Sequence, residues 1–260
     1  MPVAISRLRA TAFTHQGAVR AGNEDTIAVG DWVMSAPMAA PAVFELEVAR
    51  PVICLVADGM GGHAAGEVAS RAVAEHLTKR AGQAVDEAAL ADLLAAANAE
   101  LFELMGKRPA LEGMGTTVAG VVIGPSGSLA FNVGDSRVYR ILGSGPRAAF
   151  RLEQLSTDDT HGPKLADGRT ASITSPLMTQ ALGGDYEAFA IEPHLLPLPQ
   201  APRERYLICS DGLSDLVSRT ALEACLGEDD RYSVQALFEA AMAAGGQDNI
   251  SIVMLDVGRA

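Results

Sequence analysis

Two apolar runs in this chain each stop at an aspartate followed by glycine. Val52-Ile53-Cys54-Leu55-Val56-Ala57 leads into Asp58-Gly59, and Tyr206-Leu207-Ile208-Cys209 leads through Ser210 into Asp211-Gly212. A buried strand that ends at an aspartate holds that carboxylate on a rigid element. Two further tight turns carry acidic groups, Asn23-Glu24-Asp25 and Gly246-Gln247-Asp248-Asn249. Any one Asp-Gly pair is compatible with an ordinary turn; the recurrence carries the argument. Carboxylates gathered in one place repel one another, since two like charges about 4 Å apart cost roughly 4 kcal/mol at an effective dielectric near 20. Hard divalent cations with oxygen ligands remove that cost. The pattern predicts an all-carboxylate Mg²⁺ or Mn²⁺ site with more than one ion.

The order of elements around these turns narrows the fold. Arg7–His15 and Thr26–Val33 read as strands, Met34–Val43, with Pro37 and Pro41, as a loop, and Val52–Ala57 as a buried strand. Gly66–Lys79 places Val68, Ala69, Ala72, Val73, His76 and Leu77 on one helical face. Asp86 is the expected N-cap of a second helix running to about Met105, with the stripe Leu90, Leu93, Leu94, Ala97, Leu101, Leu104 and Met105. Thr116–Ile123, Leu129–Val133, Val138–Leu142 and Phe150–Leu155 are short strands between Gly/Pro/Ser turns, expected as a meander. Ile191–Leu196 and Tyr206–Ser210 return to strand, Ser233–Ala244 is helical, and Ile250–Val257 is a last strand. Strands, then paired helices, then strands again predict an α+β fold, two antiparallel sheets with helices packed outside. A 48% hydrophobic content supplies the core, and no composition break divides residues 1–260, so a single domain is expected.

Composition excludes several functions. A net charge of −12 argues against non-specific nucleic-acid binding. Three cysteines give no disulfide framework, and two of them, Cys54 and Cys209, sit inside apolar runs, which points to a reducing, cytoplasmic compartment. No signal peptide is expected from Met1–Ala10, and the most apolar region, Met34–Ala57, is broken by Glu45, Glu47 and Arg50, so no membrane insertion is expected.

Other motifs have competing readings. Gly59-x-Gly61-x-x-Ala64 is formally a dinucleotide fingerprint and would suit a nucleotide-binding oxidoreductase, but Asp58 would then face the pyrophosphate and the surrounding chain is not βαβ. Cys225 and Arg231 match the spacing of thiolate phosphatases, but Glu228, Asp229 and Asp230 lie between them, where a phosphate cradle needs positive potential. Arg20 is either a surface arginine or a bidentate phosphate clamp. His63, in a glycine-rich loop, is either a functional group or a solvent-exposed spectator.

Taken in order, these motifs resemble the metal-dependent Ser/Thr protein phosphatases of the PPM, or type 2C, family, as bacterial-type catalytic domains. The resemblance is carried by Thr14-His15-Gln16-Gly17 through Arg20 to Asn23-Glu24-Asp25, by Val56-Ala57-Asp58-Gly59-Met60-Gly61-Gly62-His63, by Gly113-Met114-Gly115-Thr116-Thr117, by Asn132-Val133-Gly134-Asp135-Ser136-Arg137, by Cys209-Ser210-Asp211-Gly212, and by Gly246-Gln247-Asp248-Asn249-Ile250. It implies a β-sandwich of two antiparallel sheets flanked by helix pairs. It implies two tightly bound Mn²⁺ or Mg²⁺ ions, with Asp58 bridging both, the Gly59 carbonyl on one, and Asp211 and Asp248 on the other. Glu24, Asp25 and Asn249 would act through metal-bound waters. Asp135, with Asp211, would hold a weaker third ion. Arg20 would bind the substrate phosphate and His63 would protonate the leaving oxygen. The implied substrates are phosphoproteins made by a cognate Ser/Thr kinase, hydrolysed by a monomeric enzyme without a phospho-enzyme intermediate. The rival on the same fold is a catalytically weak phosphoprotein-binding module. The chain departs from the family after Leu155-Ser156-Thr157-Asp158, where Asp159 replaces the usual histidine, and at Gln180, where an arginine is usual. Between them lies a short flap at about 159–176, expected to be mobile and to influence substrate choice.

Overall fold

The computed structural model describes residues 5–60, 65–125, 127–143, 145, 149–161, 177–199 and 201–259. In chain order its strands are β1 (Ile5–His15), β2 (Thr26–Val29), β3 (Trp32–Met34), β4 (Ala42–Leu46), β5 (Val52–Ala57) and β6 (Gly59–Met60). Helices α1 (Gly66–Lys79) and α2 (Glu87–Lys107) follow. Then come β7 (Gly115–Thr116), β8 (Val118–Ile123), β9 (Ser128–Val133), β10 (Arg137–Leu142), β11 (Arg151–Gln154), β12 (Thr160–His161), β13 (Leu177–Met178), β14 (Leu182–Gly183), β15 (His194–Pro197) and β16 (Arg203–Cys209). Helices α3 (Asp211–Ser214), α4 (Arg219–Cys225) and α5 (Asp230–Ala243) precede the last strand, β17 (Ile250–Arg259).

Two six-stranded antiparallel sheets face each other, one in the order β11-β10-β16-β17-β1-β4 and the other β15-β9-β8-β5-β2-β3. The two-residue period of each strand divides its side chains between two cores. In β5, Cys54 and Val56 join the inter-sheet core with Ile208 and Val253, while Ile53 and Leu55 face α1 and α2 through Val73, Leu77, Leu90 and Leu94. In β16, Tyr206 and Ile208 point inward between the sheets, and Leu207 and Cys209 pack on Leu222, Val234 and Leu237 of α4 and α5. The layers therefore run helix, sheet, sheet, helix, as expected. Asp86 caps α2, its carboxylate accepting the Ala89 N–H at 2.9 Å. Among the described residues no helix is long and apolar enough to cross a membrane.

The structure corrects several element boundaries. Thr26–Val33 is not one strand: the chain reverses at Gly30-Asp31, where Gly30 has φ of 57°, and makes the β2–β3 hairpin. The loop read over Met34–Val43 ends early, because Ala42–Leu46 pairs with β1. The four strands from Thr116 to Leu155 do not form one meander. β8 pairs with β9 in one sheet and β10 with β11 in the other, so the chain changes sheet between Val133 and Arg137. The strand read over Ile191–Leu196 begins only at His194. Of the flap, residues 162–176 lie outside the described residues, as does the expectation that they are mobile; their flanks, β12 and β13, pair with each other.

Candidate metal centre

Strand register brings the carboxylate turns to one end of the sandwich. Thr26 pairs with Ala57, so Asp25 and Asp58 leave neighbouring strands side by side. In the other sheet His15 pairs with Ile250 and Cys209 with Ile252, which places Asp248 beside the end of β1 and near Asp211. Arg137 pairs with Cys209, so Asp135, on the turn that changes sheet, arrives from the same side. A cavity of about 480 Å³ opens there, lined by Arg20, Glu24, Asp58, Gly59, Met60, Thr117, Asp135, Met178, Asp211, Asp248 and Asn249, with Ala21 and Gly22 at its edge.

Hydrogen bonds fix the turns that carry these carboxylates. The Asp58 carbonyl accepts both the Thr117 N–H and the Thr116 hydroxyl at 2.9 Å. Thr117 Oγ1 in turn meets Ser136 Oγ at 2.7 Å, tying the Asp58 turn in one sheet to the Asp135 turn between sheets. A Cβ at Gly59 would strike the Gly66 carbonyl and stand 2.6 Å from the Glu24 carbonyl oxygen, so only glycine fits the approach of these three segments. Asn249 spans the loops: its Oδ1 accepts the Glu24 N–H at 2.8 Å, and its Nδ2 donates to Gln16 and Gly22 carbonyls at 3.1 and 2.9 Å. Both of its amide protons are therefore spent on loop carbonyls.

The acid groups do not all sit alike. Asp58, Asp135, Asp211, Asp248 and Glu24 border the cavity, whereas Asp25 is fully buried and is not in the lining. Among the described residues no hydrogen bond reaches either Asp25 oxygen within normal geometry, although the Ser251 and Ser210 hydroxyls stand close enough to favour its charge. Burial, with Asp211 and Asp248 adding repulsion, pushes Asp25 up to about 7. Asp135 is pushed up to about 8 by burial and then by Asp211, Asp215 and Asp158, against Arg137. Asp211 rises to about 6 through burial and the neighbouring Asp248 and Asp215. Asp58 is raised well above the usual range by its dense surround first and then by Asp25, Asp211 and Asp135, even though its side chain keeps some exposure to the cavity. A cation among these groups inverts that logic, because it stabilises every charged carboxylate.

The donor set suits a hard divalent cation: oxygens only, several of the acids raised by burial and then by mutual repulsion, with Asp211 Oδ1 buried and unpartnered among the described residues. Among the described residues no three carboxylates or imidazoles already converge on one ion's shell. Asp248 is instead engaged by Arg20, Nη2 to Oδ2 at 2.5 Å. His63 lies outside the described residues. The residue types alone did not single out Thr116, Thr117, Ser136 or Arg137. Arg137 is buried, with its guanidinium bonded to Asp158 and Asp215 and to the Ser214 carbonyl, which braces the start of β10 against the residues after Asp211. The Cys225–Arg231 pair builds no cradle, because Asp229 takes the Arg231 and Tyr232 N–H groups to cap α5. Burial pushes Cys54 and Cys209 up to about 12 and Cys225 upward, so no thiolate is at hand.

Comparison with known proteins identifies the family and the fold. A family model described as protein phosphatase 2C matches residues 42–249. The serine/threonine protein phosphatase PstP of Mycobacterium tuberculosis is 35% identical over 265 residues, covering 96% of this chain and 45% of that protein. The chain therefore spans about half the length of that relative. The serine/threonine phosphatase stp of Listeria monocytogenes is 28% identical over 261 residues, covering 94% of this chain and 93% of that protein. Among solved structures, the crystal structure of M. tuberculosis PstP superposes with a TM-score of 0.77 at 31% identity, over 97% of this chain and 99% of that one. The catalytic domain of PstP in complex with two manganese ions superposes with a TM-score of 0.73 at 31% identity, over the same shares.

Proposed function

Since the chain belongs to the protein phosphatase 2C family, we propose that it is a metal-dependent protein serine/threonine phosphatase. The observation that carries the reading is that one cavity is bordered by Asp58, Asp135, Asp211 and Asp248 together with Arg20. Asp58, the Gly59 carbonyl, Asp211 and Asp248 would hold two Mn²⁺ or Mg²⁺ ions. Asp135 with Asp211 would hold a third, and Glu24, Asp25 and Asn249 would act on bound waters. When bound, the ions supply Lewis acidity and a water acidic enough to act as nucleophile near neutral pH.

The chain's own groups do the rest. Arg20, released from Asp248, offers a planar fork to two phosphate oxygens and turns phosphorus toward the acidic floor. That clamp also offsets charge on the equatorial oxygens during in-line displacement. His63 gives a proton to the departing serine or threonine oxygen. No side chain is required as a nucleophile, so no phospho-enzyme forms. The substrates are phosphoproteins produced by a Ser/Thr kinase, and the acidic surface fits no nucleic-acid partner. The chain acts as one catalytic unit, as a monomer in the cytoplasm, where its three free cysteines suit a reducing compartment.

A phosphothreonine-peptide assay with and without Mn²⁺ tests the reading, with Asp58→Asn as the control. Turnover should require the metal and should fall by about 10²-fold or more in Asp58→Asn. Equal rates with and without metal after exhaustive chelation, or in the two proteins, would overturn it.

A further inference from the structure

The two positions at which the chain departs from the family motifs are bonded to each other. Gln180 Nε2 donates to Asp159 Oδ2 at 3.0 Å. The same oxygen accepts the Gly134 N–H at 2.8 Å, and Asp159 Oδ1 lies 2.9 Å from His194 Nε2. The backbone completes the junction: the Asp159 N–H donates to the Gly134 carbonyl at 3.1 Å, and its carbonyl accepts the Thr179 N–H at 2.8 Å. Every polar atom of Asp159 is used, and its side chain is only 11% exposed. Gln180 is itself held, its Nε2 donating to the Glu192 carbonyl at 3.1 Å and its Oε1 accepting the Glu192 N–H at 2.5 Å.

Asp159 thus joins three segments, two of which, the turn after β9 and β15, already meet through the β9–β15 ladder, where His194 pairs with Asn132. One is the turn that changes sheet and carries Asp135. The second is the segment that follows β13, the strand whose Met178 lines the cavity together with Asp135. The third is β15, through His194. A carboxylate suits the place because it only accepts, and so can take three donors at once. An asparagine would present an N–H₂ to a donor and lose one arm.

We propose that Asp159 is a positioning residue which, with Gln180 and His194, holds the Met178 wall against the Gly134–Asp135 turn and so sets how a phosphorylated polypeptide enters the cavity. The inference rests on the phosphatase reading for its substrate, but the junction itself is testable without turnover. A small phosphate ester needs only Arg20 and the acidic floor, whereas a peptide must also pass Met178.

The test uses Asp159→Ala, Gln180→Ala and the double variant. In metal-free protein the Gly134 amide, left without its acceptor, should exchange at least about tenfold faster in Asp159→Ala. The Kd of a fluorescent phosphothreonine peptide and, where the protein turns over, its KM should rise about fivefold or more, with kcat changed by less than about threefold. The double variant should be no worse than Asp159→Ala by more than about twofold, since the two residues act as one unit. Wild-type Gly134 exchange in a folded Asp159→Ala protein would overturn the proposal. So would faster exchange with unchanged peptide Kd, which would make the junction structural only. If Asp159→Ala does not fold by circular dichroism, Gln180→Ala alone carries the peptide readout and Thr179 the exchange readout, on the same criteria. A wild-type protein that binds the peptide but never turns it over would refute the phosphatase reading and leave this one standing on exchange and Kd.

Discussion

Arg20 Nη2 lies 2.5 Å from Asp248 Oδ2, and both residues line the acidic cavity. The arginine side chain is 55% exposed and the aspartate 35%, so this is a surface-type pair that contributes little to stability and is readily exchanged for another partner. The same carboxylate is the proposed ligand of an ion, and the same guanidinium the proposed clamp of the phosphate. Metal loading would therefore free Arg20 for substrate.

Arg20→Ala follows from that pair. Removing a competing cation should leave Mn²⁺ affinity equal to or tighter than wild type in a calorimetric titration. Phosphopeptide kcat/KM should nevertheless fall by roughly tenfold or more, because a bidentate phosphate contact is lost. Weaker metal binding in Arg20→Ala would mean that the arginine supports the site rather than competing for it.

The raised carboxylates fix the sign of a pH effect. Asp25 titrates near 7, Asp135 near 8 and Asp211 near 6 in the folded chain, against about 3.9 for an unfolded aspartate. Between about pH 4 and 8 the folded state then binds more protons than the unfolded state, so its stability declines as pH rises. The contribution is fully present below the unfolded value and is lost as pH passes through the folded values. In EDTA, the melting temperature should fall from pH 5 to pH 8. With saturating Mn²⁺ the slope should flatten, and metal uptake near pH 6.5 should release protons, because ligands bind in their charged form. A melting temperature in EDTA that rises across this range would contradict the assignment of these burials.

The cross-sheet tie between Thr117 and Ser136 supports a further prediction. Both hydroxyls are buried, and Thr117 is the link between the Asp58 and Asp135 turns. Thr117→Val keeps the shape but leaves the Ser136 hydroxyl without this partner, at a cost of about 1–3 kcal/mol. Thermal melting should show a drop, and Thr117→Ser should restore most of it. Metal affinity should weaken in the valine variant alone; unchanged affinity there would separate the tie from the site.

What the sequence revealed and what it hid have the same physical origin. The bounds of β5 and α1 and the cap of α2 were legible because each is decided by neighbours within one element: a continuous apolar run, a helical stripe, an aspartate three residues before the amide it accepts. Asp58 and Asp211, two of the cavity's aspartates, were legible because they follow such runs. β4 was not, because Glu45 on the outward face interrupts the apolar count, although Phe44 and Leu46 turn toward the core. The change of sheet after Val133 was hidden for another reason: hairpins and crossovers look alike until long-range pairing is known, and Arg137 finds Cys209 across more than seventy residues. The roles of Asn249, Thr117 and Asp159 are of this kind. Each is a polar residue whose partners come from distant turns, so type and spacing alone give no signal.

His63 offers the sharpest test of the chemistry. A general acid matters in proportion to how poor the leaving group is. A serine or threonine alkoxide is strongly basic and needs a proton as the bond to phosphorus breaks, while p-nitrophenolate departs unaided. If His63 supplies that proton, His63→Gln should slow phosphopeptide hydrolysis by roughly 10²-fold or more. The same change should slow p-nitrophenyl phosphate hydrolysis far less, and Mn²⁺ affinity should hold, since the oxygen ligands are untouched. The comparison isolates the proton because substrate phosphate, metal and nucleophile are common to both reactions. Equal slowing of both substrates at constant metal affinity would remove His63 from the leaving-group step and place its effect on the nucleophile's side of the reaction.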